Sequence, residues 1–469
     1  MAKDDPLWGD GTDRDEFLRE LDAAAIRYLS ENSEDILGKL DSLPINQLLS
    51  LPFHVPYGPL QIAIWEECVK RQELQHPADT AGPAAARLNL VDALAMGGQL
   101  HQVPAVFELV EDYYYDSWGA EQHPEFLEHF AWHYRNYIQA LTDDPTTPAD
   151  ELHAALGRMK ELYISLNDDM KSYYLRAYQV HKELGEEQEA AELRELWLNT
   201  PSSKLSDCTG CDPVYVVKMH AAIGDWEQAV AVGETALEHP DLLCDAQPEN
   251  LYLSLLTPWL RTGADNVAIE AHLDALNRDI TSPIFLDHFP DHFMYLGLSG
   301  AAGRPRRLEL GLVLFSHYIK WWQHAESPRV LMNLAASVAF FLTQIKQQNR
   351  QLQCILPGSQ LPWVCAPDIK EPTITQARQW CADIALALAQ QFDARIGTRF
   401  PHTVAEMTYL MDKTPPIQPL GRQSRLERMF EQGQILVATD AVTRATMLKF
   451  KAKTLYAFVV DFVDRRKNS

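Results

Sequence analysis

Three stretches of the chain superpose without a gap on a single glycine: VHKELGEEQEAAELRELWLNTP on Gly185, MHAAIGDWEQAVAVGETALEHP on Gly224 and PWLRTGADNVAIEAHLDALNRD on Gly263. The glycines are 39 residues apart both times, and an alanine follows each by five positions: Ala190, Ala229 and Ala268. Ala236 and Ala275 recur at glycine plus twelve, Pro201 and Pro240 at glycine plus sixteen. Each position has a physical reason. Glycine accepts the left-handed backbone of a tight turn between antiparallel helices. Small alanines on the returning helix let the two helices approach, and proline stops that helix. A helix pair of this size cannot bury its apolar face alone, so neighbours must stack on it.

The offsets of glycine, alanine and proline resemble those of the tetratricopeptide repeat. The period is longer than the usual 34, which implies longer helices or connections. Four residues before the glycine, where that repeat favours tyrosine, this chain has His181, His220 and Trp259. Weaker copies flank the three: Gly98 turns one, with Val103 at the alanine position, and Gly300 or Gly303 turns another. Residues 124–141 and 149–170 have helical apolar spacing, and sustained strand-type alternation is hard to find. The expected fold is all-α: a right-handed α-solenoid over residues 51–346. An acidic helical arm (1–50) precedes it, and a Gln- and Pro-rich linker (347–372) and a helical extension (373–469) follow.

Composition narrows the setting. A formal net charge of −24 repels phosphate backbones and anionic lipid, so neither nucleic acid nor membrane is the expected partner. The longest apolar run, Val330 to Ile345, holds Asn333 and Ser337 and suits a buried helix better than a bilayer span. The first residues have no apolar signal core. Seven cysteines in 469 residues do not make a disulfide scaffold, which points to a reducing cytoplasm.

Three of those cysteines are placed informatively. Cys208 and Cys211 form a C-x-x-C just before the Gly224 hairpin, and Cys244 follows its return. Asp212-Pro213 is a good helix start. Both ends of the hairpin then lie at one edge, and the three thiols should meet there although 33 residues separate Cys211 from Cys244. Thiolates so grouped suit a structural zinc ion, with His239 or Asp207 as fourth ligand; His220 lies about 10 Å along the helix. Two other readings stand beside it: a redox pair at a helix N-terminus, and thiols packed as small hydrophobes.

Other candidates are weaker. Glu125, His129 and His133 share a helical face but lie among aromatic residues, and packing is the expectation. His288 and His292 flank Pro290, with capping and solvation expected. In YYYDSW (113–118) at least one tyrosine must point outward, and one of Trp321 and Trp322 is expected to be buried. Phosphate loops, dinucleotide fingerprints and nucleophile elbows are absent, so an enzymatic reading rests on the thiols alone.

More narrowly, DCTGCD (207–212), GDWEQAVA, CDAQP (244–248) and PWLRTG resemble a group of actinobacterial proteins with tetratricopeptide-like repeats, as do HVPYGPLQIAIWEECV and QFDARIGTRF. That resemblance implies a cytoplasmic bacterial protein and brings no activity with it. The expected role is a scaffold or adaptor that takes a peptide or protein in the groove lined by the first helices, at Lys218, Met219, Asn250, Tyr252 and Ser254. The acidic surface suits a basic partner. Residues 441–469 carry seven cationic against two anionic side chains, net +5, so this amphipathic segment is itself a candidate to dock in cis.

Overall fold

A computed structural model describes residues 23–32, 35–76, 81–116, 124–239, 244, 246–397, 402–423, 428–429, 431–436 and 439. The fold is all-α. The helices are α1 (Ile45–Ser50), α2 (Pro59–Gln75), α3 (Ala81–Met96), α4 (Val103–Asp116), α5 (Pro124–Asp143), α6 (Ala149–Ser165), α7 (Lys171–Glu183), α8 (Glu187–Asn199), α9 (Asp212–Ala222), α10 (Trp226–Leu237), α11 (Glu249–Arg261), α12 (Asp265–Asp279), α13 (Phe289–Ala301), α14 (Pro305–Tyr318), α15 (Pro328–Thr343), α16 (Ile374–Arg395) and α17 (His402–Lys413). Among the described residues, no helix is long and apolar enough to cross a membrane.

The glycine repeat folds as its chemistry requires. Gly185, Gly224 and Gly263 have φ of 72°, 79° and 87°, each in the turn between two helices. Ala190, Ala229 and Ala268 are all buried on the returning helix. In the later copy, Gly303 (φ 119°) makes the turn. Gly300 lies inside α13, where an added Cβ would stand 2.4 Å from Leu308 Cδ2, so it serves close packing instead.

The chain divides into two compact units, one of residues 1–143, 150–182 and 186–205, the other of 144–149, 183–185 and 206–469. In the first, α2 packs on α3, and α3 and α4 on α5. Phe107 lies between Phe130 and Tyr137, with ring centroids 5.1 Å and 4.7 Å away. Residues 37–54 pack on α2, and residues 1–22 of the expected arm (1–50) lie outside the described residues. Leu40, Leu48 and Leu51 are buried, and Arg71 of α2 donates to the carbonyls of Leu40 and Leu43 at 2.6 Å and 2.7 Å.

In the second unit α9, α11, α13 and α15 each pack on the next, while α10, α12 and α14 each pack against the helix before and the helix after. Helix α15 carries the apolar run and is buried along most of its length against α13 and α16. The expected linker is instead part of this core. Leu352 and Leu356 are buried, and Ile355–Leu356 pairs antiparallel with Ile369–Lys370, so 347–372 anchors α16 rather than separating it. Its glutamines and prolines conceal two core leucines. Arg307, fully buried, is held by Asp265 and by Glu431 at 2.6 Å.

Candidate metal centre

The sulfurs of Cys208, Cys211 and Cys244 all lie within 4.8 Å of one another, as the hairpin topology predicts. Cys211 Sγ and Cys244 Sγ are 3.5 Å apart. Sulfurs at about 2.3 Å from a tetrahedral zinc stand roughly 3.8 Å from each other, so the spacing fits an ion at the centre. The local chain builds this cluster. A turn donates the N–H of Cys211 and Asp212 to the Cys208 carbonyl at 2.9 Å and 3.0 Å, folding the C-x-x-C back on itself. Cys211 then occupies the N-cap of α9, a position expected for Asp212, which is instead the first residue of the helix. Gln247 Nε2 approaches Cys211 Sγ at 3.8 Å, while its Oε1 accepts from the N–H of Leu251 and ties the Cys244 loop to α11.

Electrostatics separate the three thiols. Burial pushes Cys208 up, but hydrogen bonds from the thiols of Cys211 and Cys244 and from the N–H of Cys211 and Gly210 outweigh it and lower its pKa. Cys211 moves the other way, raised by burial and then by the negative charge on Cys208. Cys208 therefore gives up its proton more readily than Cys211. A cation would allow further deprotonation, since thiolate is the ligand form.

His239 does not join the cluster. It is exposed, and lines a surface hollow with Thr209 and Pro213 instead. Asp207 is also outside the group, so three protein donors, all sulfur, are in place among the described residues. Of the positions expected to line a groove, Lys218 is exposed and Asn250 and Tyr252 are half-buried. Met219 and Ser254 are buried and present no side chain to a partner; Ser254 Oγ donates to the Leu251 carbonyl at 2.9 Å instead.

The histidines near Pro290 correct the sequence expectation most sharply. Solvation is expected there, but His292 is fully buried. Its Nε2 donates to Asp279 Oδ2 at 3.0 Å and its Nδ1 meets His272 Nδ1 at 2.9 Å. The other Asp279 oxygen takes His288 Nδ1 at 3.0 Å and Arg278 Nε at 3.3 Å. Burial raises the Asp279 pKa, but the hydrogen bonds from His288 and His292 overcome it and hold the carboxyl well below its usual range. Burial lowers His288, but Asp287 and Asp279 raise it further. His272, buried and next to His292, is pushed well down. This network joins α12 to α13; its members lie 13 and 20 residues apart, with no spacing rule to reveal them.

His129 and His133 meet Nε2 to Nε2 at 3.0 Å, and His133 Nδ1 lies 3.4 Å from Asn136 Nδ2, with no third metal donor among the described residues; the Glu125 side chain lies outside them. Tyr113 and Tyr114 are buried and Tyr115 is exposed; Trp118 is outside the described residues. Trp322 is buried and Trp321 half-buried, as expected. The basic segment 441–469 also lies outside the described residues. Comparison with models of protein families and with curated proteins returns no match for this chain.

Proposed function

We propose that this protein is an interaction scaffold of tetratricopeptide-like hairpins, and that Cys208, Cys211 and Cys244 hold a structural zinc ion at the rim of its second unit. The observation that carries the metal is the convergence of three sulfurs from both ends of one hairpin. A tetrahedral ion there leaves its fourth position to a ligand other than His239. By bridging the entry of α9 to the entry of α11, it fixes the approach of one hairpin to the next.

The scaffold reading is supported by the succession of α9, α11, α13 and α15, each packed on its successor, here taken as a right-handed array. Lys218, Asn250 and Tyr252 lie on the first helices of two of its hairpins. A net charge of −24 favours a basic peptide or protein and speeds its capture. The chain's own residues 441–469 are one such segment, and deleting them should then lower thermal stability or change the partners captured. The reduced thiols this site needs fit a cytoplasmic setting.

The test is metal content of the purified chain with titration of its thiols. One thiolate-bound zinc per chain, three protected thiols and a fall in melting temperature on chelation are the expected results. A metal-free chain whose Cys211 and Cys244 pair on mild oxidation would replace zinc by the thiol redox reading, which the 3.5 Å sulfur separation favours.

A further inference from the structure

We propose a second, independent metal site in the first unit, formed by His153 of α6, His181 of α7 and Glu186 at the entry to α8. Its ligand class is a borderline divalent ion such as zinc. The three donor atoms lie within 4.8 Å of one another. One carboxylate oxygen, Glu186 Oε2, faces both rings: His153 Nε2 at 3.0 Å and His181 Nδ1 at 2.6 Å. The rings are tilted by 39° with centroids 5.3 Å apart, so they converge rather than stack. Two imidazoles and a carboxylate are a recurrent zinc donor set and leave one tetrahedral position open.

The hairpin repeat supplies an internal comparison. His220 and Asp225 occupy the places of His181 and Glu186 one repeat later, with His220 Nδ1 3.4 Å from Asp225 Oδ2. Both His181 Nδ1 and His220 Nδ1 are buried, so the turn presents a ring nitrogen facing an acid in each hairpin. The two differ in how the acid is used. Asp225 accepts from the N–H of Gln228 and caps α10. Glu186 holds the equivalent N-cap position of α8 but makes no side-chain cap. Its longer carboxylate reaches the histidines instead, at the expense of a cap generally worth about 1 kcal/mol. His153 then adds a third donor, and the His220–Asp225 pair has no third metal donor among the described residues.

The full chain, stripped with a chelator, is titrated with Co²⁺ and with Zn²⁺. In Co²⁺ spectra, thiolate coordination gives near-ultraviolet charge-transfer bands, whereas a histidine–carboxylate site gives only weak visible absorption. His153→Ala should remove one equivalent of bound metal and leave the thiolate bands unchanged, while His220→Ala removes none. Cys244→Ser should abolish the thiolate bands and spare the other equivalent, so the two sites fail separately. Unchanged stoichiometry in His153→Ala, or equal loss in His220→Ala, would overturn the assignment; circular dichroism of each variant establishes that it is folded.

Discussion

Asp279→Asn keeps the shape of the side chain and removes its charge, and three groups feel the loss. In the native chain the carboxylate takes His288, Arg278 and His292, and it is fully buried, as is His292. Breaking one side of a buried ion pair generally costs about 3–5 kcal/mol, because the remaining charge is left without compensation. His288 and Arg278 keep 13% and 23% side-chain exposure, so water relieves part of that cost and about 3 kcal/mol is expected. For a unit of this size that is roughly 6–12 °C in melting temperature. The assay is urea unfolding of the full chain at several pH values. Because the Asp279 pKa is depressed, its contribution is present above the ordinary carboxyl value and lost as pH falls through the folded pKa. The His288 pKa is raised, so its contribution is complete below the ordinary histidine value and lost as pH rises through the folded one. The gap between wild type and variant should thus be widest near pH 5–6, between the ordinary carboxyl and histidine values, and narrow on the alkaline side. A loss below about 1 kcal/mol, far under the buried-pair range, or a gap that does not vary with pH, would refute a charged Asp279–His288 pair.

Further substitutions separate the roles of neighbouring residues. Gly224→Ala should cost about 1–2 kcal/mol by calorimetry from backbone conformation alone, since a Cβ there meets nothing within 4 Å while φ is 79°. Gly300→Ala should destabilise through packing against Leu308 instead, and Leu308→Ala in the same chain should recover part of the loss. Tyr114→Ala should cost about 3 kcal/mol in urea unfolding, having lost a ring stacked 4.3 Å from Phe130, whereas Tyr115→Ala should change stability by less than about 0.5 kcal/mol. Cys211→Ser should abolish retention of the thiolate-bound zinc and lower the melting temperature only of the metal-loaded chain.

What was legible in the sequence is what the backbone repeats. Glycine at a left-handed turn and alanine at a close helix crossing leave a periodic trace, so the hairpins at Gly185, Gly224 and Gly263 align without gaps. The thiol cluster was legible for the same reason: once both ends of a hairpin lie on one edge, Cys211 and Cys244 must approach whatever their separation in the chain. Contacts that depend on which face of a helix meets its neighbour leave no such trace. His272, Asp279, His288 and His292 read as ordinary polar residues until α12 is laid on α13. Leu352 and Leu356 were hidden by a composition typical of loops, and Met219 by a helix whose inward face the repeat alone does not fix.

One position ties these threads together. Four residues before each turn glycine this chain places His181, His220 and Trp259, groups that can do more than pack. Trp259 sends its Nε1 to Glu234 at 2.9 Å, on the preceding hairpin, and so links one repeat to the next. His181 and His220 instead reach across their own turns to the acid that starts the returning helix. The same backbone site therefore fastens hairpin to hairpin when it holds tryptophan, and holds a ring nitrogen next to a carboxylate when it holds histidine. That difference leaves a histidine–acid pair at two of the three turns, and a third donor completes one of them. The scaffold fixes two donors wherever histidine and acid bracket the glycine, and the third must come from an adjacent helix, as His153 does. Introducing a histidine beside His220 on a neighbouring helix, together with Asp225→Glu, should then create a further cobalt-binding site; failure of such a pair to bind, with the fold intact, would mean that the turn geometry alone does not position the donors.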